Sequence, residues 1–242
     1  MSARTGVEVE YRLLRDELPS DPLALFDRWY ADAKSIEPER SGGLDRKLGG
    51  VGHSPTPIGE AEAMTLANVG DDGVPDARTV FLRGIEREPG REGFVFYTNY
   101  TSAKGRGLAL QPACALLFYW GDLGGRSDFG GRQVRVRGIA ERVSEATSDA
   151  YFATRPRLSQ LGAWASTQSA VVGEDTLERE LAEIDERFAG QPVTRPPHWG
   201  GYLVVAQSIE LWQGRKGRLH DRFRYTRDAS IASGWRIERL SP

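Results

Sequence analysis

Beyond residue 60 the chain is written in period two far more than in the 3.6 of helices, which favours an antiparallel sheet. Met64–Val69 and Ala77–Arg83 flank the turn Gly70-Asp-Asp-Gly73 and predict a hairpin. Phe94–Thr98 reads as a short strand, and Ala113–Trp120 is a nearly continuous apolar run of the kind buried on both faces. Gln133–Arg142 alternates strictly, as a half-exposed antiparallel strand does. Tyr202–Ala206, Ser208–Trp212, Arg222–Thr226 and Trp235–Leu240 add further strands. Helices are fewer: one after the capping sequence Ser20-Asp21-Pro22, then Ser102–Leu110, Ser144–Thr154 and Thr176–Phe188. Strands in hairpin series with flanking helices predict a mainly β protein closed as a barrel, not a doubly wound sheet. No GxGxxG or Walker-type loop follows a strand, and no internal repeat is visible.

The 242 residues suffice for one substantial core, so residues 21–242 read as a single domain behind an N-terminal arm of residues 1–20. Two glycine-rich stretches, Pro38–Glu60 and Gly121–Gly131, read as loop insertions within it. Lys and Arg number 32 against 34 Asp and Glu, a balance that argues against a general nucleic-acid or anionic-membrane binder. The lone Cys114 rules out an internal disulfide, and its apolar setting suits a buried hydrophobe better than a nucleophile. His53, His198 and His220 lack metal-ligand spacing. No apolar run has the length of a membrane span and no signal-peptide pattern is seen, so the expectation is a soluble cytoplasmic protein.

Against that even background, arginines and hydroxyls gather in four segments. The densest is Tyr151-Phe-Ala-Thr-Arg155-Pro-Arg157-Leu-Ser159 through Gln168-Ser169, suited to a ligand both anionic and planar. Trp212-Gln-Gly-Arg215-Lys-Gly-Arg218-Leu-His220-Asp221-Arg222 repeats that mixture; along a strand, Arg218, His220 and Arg222 would share a face, with Trp212 free to cover a flat ring. In Tyr97-Thr98-Asn-Tyr-Thr-Ser102-Ala-Lys104, a strand end runs into a helix N-terminus, a natural phosphate site. The same residues also fit an ordinary serine cap with a surface lysine. In Arg78-Thr-Val-Phe-Leu-Arg83, regular alternation sends the two arginines to opposite faces; a bulge or strand end would be needed to bring both to one anion. Binding groups abound while no nucleophile–base constellation or carboxylate pair is evident, the pattern expected where a cofactor carries the chemistry.

These pieces, in order, resemble the pyridoxamine (pyridoxine) 5′-phosphate oxidase family. The resemblance runs from about Asp21 to Pro242 and includes Arg78-Thr-Val, Phe96-Tyr97-Thr98-Asn99, Ser102-Ala-Lys104-Gly, Arg132-Gln133-Val134, Tyr151-X-X-X-Arg155-Pro-Arg-X-Ser159, Trp199-Gly-Gly-Tyr202 and Arg218-Leu-His220-Asp-Arg222. It implies an FMN-binding split β-barrel, a homodimer with FMN between subunits. It further implies that Arg78, Arg83, Tyr97, Thr98, Ser102, Lys104, Gln133, Gln168, Ser169, Trp212 and Arg222 bind FMN. Arg83, Tyr151, Arg155 and Ser159 would grip the substrate phosphate, with Arg218 and His220 against the pyridine ring as the catalytic pair. The implied reaction passes a hydride from substrate C4′ to the flavin, which O2 reoxidises, giving pyridoxal 5′-phosphate and hydrogen peroxide.

Three features depart from the family pattern. Position 83 is Arg where Lys is usual, the N-terminal arm lacks the Arg-Glu-Tyr pattern, and the two glycine-rich stretches are long. Two other readings compete: an oxidase of another aromatic, as in the phenazine-biosynthesis branch, and a non-catalytic flavin- or haem-binding barrel. The first tends to lose the Tyr–Arg–Ser grip; the second has no use for Arg218 and His220.

Overall fold

The computed structural model describes residues 12–44, 60–121 and 131–242. Nine strands form one sheet: β1 (Ala63–Val69), β2 (Pro75–Phe81), β3 (Gly84–Glu86), β4 (Gly93–Asn99), β5 (Ala113–Trp120), β6 (Arg132–Arg142), β7 (Trp199–Gln213), β8 (Asp221–Arg227) and β9 (Trp235–Arg239). Their order is β2-β1-β5-β6-β7-β4-β3, with β8 pairing β7 and β9 beyond it, every pairing antiparallel. Past the end of β2 the N–H of Arg83 donates to the Val95 carbonyl at 2.8 Å, drawing the far edges of the curled sheet together.

The 15-residue β7 is the hinge of the architecture. It pairs with β6 on one side; on the other, its first half pairs with β4 and its second half with β8. Between the halves the register slips: Gly138 faces Ala206 while Arg137 faces Ser208, leaving Gln207 as the extra residue of a bulge. Core positions accordingly change parity, from Tyr202, Val204 and Ala206 to Ile209 and Leu211. Gly138 is needed here, because a Cβ would stand 2.2 Å from the Val205 carbonyl oxygen.

Helix α1 (Pro22–Leu44) starts where the N–H of Leu23 donates to the Asp21 carboxylate at 2.9 Å, then buries Leu23, Phe26, Trp29 and Ala33 on one face. Phe26 meets Phe94 at 4.9 Å and Phe118 at 5.1 Å between centroids, so α1 plugs the barrel. The helix continues to Leu44, past Pro38, where the glycine and proline content predicts loop; the helical phase carries it on. The rest of that stretch, the 121–131 loop but for its two end glycines, and residues 1–11 of the arm lie outside the described residues.

Helices α2 (Ala103–Leu110), α3 (Glu145–Ala153), α4 (Arg157–Ala165) and α5 (Thr176–Arg187) flank the sheet. A second core of Phe152, Leu161, Phe188, Val193 and Trp199 joins α3, α4 and α5 to the start of β7. Helix α4 runs through the Tyr151–Ser169 segment, where the sequence predicts no helix beyond Thr154, with Pro156 at its N-cap. β5 is buried on one face only: Leu116, Phe118 and Trp120 point inward while Tyr119 is 57% exposed.

Candidate functional site

At the N-terminus of α2, Ser102 Oγ accepts the N–H of Gly105 at 3.2 Å and donates to the Asn99 carbonyl at 2.7 Å. Lys104 in the first turn is only 9% exposed, which excludes the surface-lysine reading. Its Nζ donates to Thr98 Oγ1 at 3.3 Å, Gln168 Oε1 at 3.2 Å and Ser102 Oγ at 3.4 Å. Ser169, with φ of 76°, places its Oγ 3.2 Å from the Ala103 N–H. Burial, then the nearby charge of Arg78, pushes the Lys104 pKa below the usual lysine value. Arg78 on β2 is held by Asp76, Asn68 Oδ1 and the Leu66 carbonyl. Arg78, Thr98, Ser102, Lys104, Gln168 and Ser169 therefore form one group, two cations and several donors at a helix N-terminus.

Next to it a cavity of about 370 Å³ is lined by Tyr97, Thr98, Arg155, Ser159, Gln168 and Trp199, among others. Arg155 lies across the Trp199 ring at 4.6 Å, and its Nη1 is buried with no hydrogen-bond partner among the described residues. Desolvation lowers the Arg155 pKa, the Tyr151 hydroxyl opposes that, and Arg83 lowers it a little further. Tyr151 stacks on Tyr97 with centroids 3.9 Å apart, and Tyr97 on Trp199 at 5.4 Å. Burial raises the Tyr97 hydroxyl pKa, keeping it a neutral donor. Arg83 lies just past β2 and pairs with Glu62. Thr98 and Gln168 belong to both groups, which makes them one continuous site.

A third group stands apart. Gln133, Trp212 and Arg222 are lateral neighbours across β6, β7 and β8. The Trp212 and His220 rings are 4.7 Å apart, and Arg222 chelates Glu210 Oε1 through Nε at 3.1 Å and Nη2 at 2.9 Å. The strand spacing expected to align Arg218, His220 and Arg222 does not exist. Lys216–Arg218 is a 3₁₀ turn, with Gly217 at φ 68° and Arg218 at φ 61°, and the strand begins only at Asp221. Two consecutive left-handed residues turn the chain, and Arg218 is exposed while His220 is half-buried. His220 Nδ1 accepts the N–H of Arg215 at 3.1 Å, so the neutral ring carries its proton on Nε2. No hydrogen bond, ion pair or ring contact among the described residues links Gln133, Trp212, Arg218, His220 or Arg222 to the first two groups.

Elsewhere, burial pushes the Cys114 thiol up to about 12, which leaves it unreactive. Among the described residues no cluster of His, Cys, Asp and Glu is disposed to hold a metal, and no helix is long and apolar enough to cross a membrane. Sequence reasoning gave no role to Trp199 beneath Arg155, to Glu62 on Arg83, or to Asn68 and Asp76 on Arg78. Only Trp199 had a signal, its Trp-Gly-Gly-Tyr string; the others come from strand pairings that no local pattern reveals.

A curled antiparallel barrel with a cation-lined cleft beside stacked aromatics is a split barrel whose cleft has the chemistry to suit a flat, anionic ligand. Residues 56–188 match the family model described as pyridoxamine 5′-phosphate oxidase. Residues 199–242 match that of the pyridoxine 5′-phosphate oxidase C-terminal dimerisation region. A pyridoxine/pyridoxamine 5′-phosphate oxidase of Burkholderia cenocepacia is 48% identical over 92% of this chain and 89% of its own length. One of Rubrobacter xylanophilus is 47% identical over 98% of this chain and 95% of its own. The chain belongs to the pyridoxamine 5′-phosphate oxidase family. Among solved structures, PhzG of Burkholderia lata 383, in complex with tetrahydrophenazine-1-carboxylic acid, superposes with a TM-score of 0.73 at 27% identity, covering 96% of this chain and 99% of that one. A pyridoxamine 5′-phosphate oxidase-related, FMN-binding protein of Nostoc punctiforme shares the fold, with a TM-score of 0.58 at 18% identity, over 86% of this chain and 97% of that one.

Proposed function

We propose that the protein is an FMN-dependent oxidase that converts pyridoxine 5′-phosphate, pyridoxamine 5′-phosphate or both to pyridoxal 5′-phosphate, with O2 as acceptor and hydrogen peroxide as product. The observation that carries the substrate is the buried Nη1 of Arg155, without a hydrogen-bond partner among the described residues, in a cavity that Ser159 and Tyr97 also line. A buried guanidinium nitrogen without an acceptor is costly, and a phosphate oxygen relieves it. Tyr151 and Ser159 supply further hydroxyls, and Arg83 adds charge from the side.

The first group fits the flavin phosphate. Arg78 and Lys104 provide charge, and Ser102 and the start of α2 provide aligned N–H groups. Lys104 is a buried cation whose pKa is depressed by desolvation and then by Arg78, so a phosphate there would favour its charged form. Thr98, Gln168, Ser169 and Tyr97 would line the cofactor, with Gln133, Trp212 and Arg222 contributed by the other subunit of a homodimer. The match of residues 199–242 to a dimerisation region supports that division. When bound, FMN supplies the two-electron acceptor that O2 regenerates. Arg218 would orient the pyridine ring and stabilise developing charge, while His220 offers its Nε2–H as donor. Holding two flat molecules face to face supplies much of the rate through proximity.

The likeness to PhzG favours a second reading, oxidation of a phosphate-free aromatic acid. One experiment separates the two. Purified holoprotein is freed of oxygen, pyridoxine 5′-phosphate is added, and the visible flavin band is followed. Bleaching that air reverses, with pyridoxal 5′-phosphate formed, is the expected result. A yellow protein that stays oxidised with this substrate but bleaches with a dihydrophenazine acid overturns it.

A further inference from the structure

Asp221, the residue after His220, is 0% exposed. Its carboxylate collects donors from three distant parts of the chain. The N–H of Leu13 in the N-terminal arm donates to Oδ2 at 3.1 Å. Arg215 Nη1 at 3.3 Å and Arg239 Nη2 on β9 at 3.1 Å both donate to Oδ1. Arg215 in turn brackets the loop, giving its backbone N–H to His220 Nδ1 at 3.1 Å and Nη1 to the Leu219 carbonyl at 3.4 Å. Inside that bracket sit Gly217 and Arg218, both left-handed. A non-glycine residue keeps such a backbone only where its surroundings over-determine it.

We propose that Asp221 is the positioning residue for Arg218 and His220, a latch that ties their loop to the N-terminal arm at Leu13 and to the C-terminal strand at Arg239. It contacts neither flavin nor substrate in this scheme. It fixes Arg215, which fixes the His220 tautomer and the turn that presents Arg218. A buried carboxylate joined to two guanidinium groups resists loosening, since freeing it from both would leave its charge uncompensated. The catalytic consequence rests on the function proposed above; the loop geometry does not.

The test is Asp221→Asn, which keeps the shape and an acceptor for the Leu13 N–H but removes the charge that holds both arginines. Melting temperature is expected to fall, since a buried ion pair is broken. Flavin content should stay near that of the parent, while kcat/KM for pyridoxine 5′-phosphate falls about tenfold or more, the usual scale for a lost charged hydrogen bond. Tryptic cleavage after Arg215, Lys216 and Arg218 should speed up by about the same factor, because protection reports local opening. Arg239→Met, altering a half-exposed side chain, should move both readouts the same way by less, and the double variant should be no worse than Asp221→Asn alone. A purely structural Asp221 would instead lower flavin content along with melting temperature and leave kcat/KM per bound flavin unchanged, which overturns the proposal. Unchanged loop cleavage or strictly additive effects overturn it too. If Asp221→Asn does not fold, loop cleavage in Arg239→Met decides alone. If the parent fails to oxidise pyridoxine 5′-phosphate, the function proposed above fails, and the cleavage measurements still decide the latch.

Discussion

The cleft around Arg155 and Lys104 and the loop carrying Arg218 and His220 are both rich in cations, yet they treat charge in opposite ways. In the cleft, Lys104 and Arg155 have no carboxylate in hydrogen-bond reach among the described residues, and one Arg155 nitrogen has no acceptor there. Burial first, then the neighbouring cations Arg78 and Arg83, depress them, while Arg78 and Arg83 themselves pair with Asp76 and Glu62. At the loop, carboxylates answer them within the chain: Glu210 takes Arg222 and Arg135, and Asp221 takes Arg215 and Arg239. On the function proposed above, the first region receives anions, while the ion pairs of the second hold a backbone in shape. Binding and positioning would then divide between two ends of one sheet.

That division is sharpened most by Arg218→Ala. If the loop serves the reaction and not the flavin, kcat/KM should drop by about 10²–10³-fold, the scale for losing one donor aimed at developing charge, with FMN content unchanged. Isolation of this variant as flavin-free protein breaks the comparison. Arg155→Ala should act next, raising KM by roughly tenfold to a hundredfold, as the loss of a charge-assisted hydrogen bond does. Stopped-flow flavin reduction at varied substrate would reveal an unchanged KM and so refute the phosphate grip.

The smallest effect concerns pH. The folded pKa of Lys104 is depressed, so between that value and the unfolded one the unfolded chain binds more protons, and apoprotein stability rises with pH there. A bound phosphate favours the charged lysine, and its own second proton is largely gone by about pH 7. FMN affinity should therefore decline as pH climbs through the depressed Lys104 pKa. Lys104→Met should weaken FMN by about tenfold and flatten that decline. Flavin fluorescence titrations from about pH 7 to about pH 10 would check both, and a decline that persists in Lys104→Met assigns it to another group.

What could be read from sequence follows the range of the forces involved. Period-two patterning placed most strands, since alternation records a two-sided environment residue by residue; β5 misled because a continuous apolar run does not say which face is covered. The Ser102 cap and the lysine behind it were visible as local chemistry, but only packing could decide that Lys104 is buried. Tyr151, Arg155 and Ser159 were legible as a motif, although the helix that carries Ser159 was not. The Arg218–His220 turn failed for a definite reason: strand spacing was assumed through a Gly217 that sits left-handed. Glu62 on Arg83 and Asp221 on Arg215 and Arg239 are bonds between segments far apart in sequence, which a local reading cannot supply.

The bulge at Gln207 also acts as a reading-frame device for the sheet. Upstream of it, even-numbered residues of β7 face the core; downstream, odd-numbered ones do. Were this exposed glutamine drawn into regular pairing with β6, the strand's second half would rotate by one face. Ile209 and Leu211 would turn outward, while Glu210 and Trp212 would be driven into the interior. One extra residue thus sets the phase in which one end of the sheet is expressed, and it does so through its place in the backbone, not through its side chain.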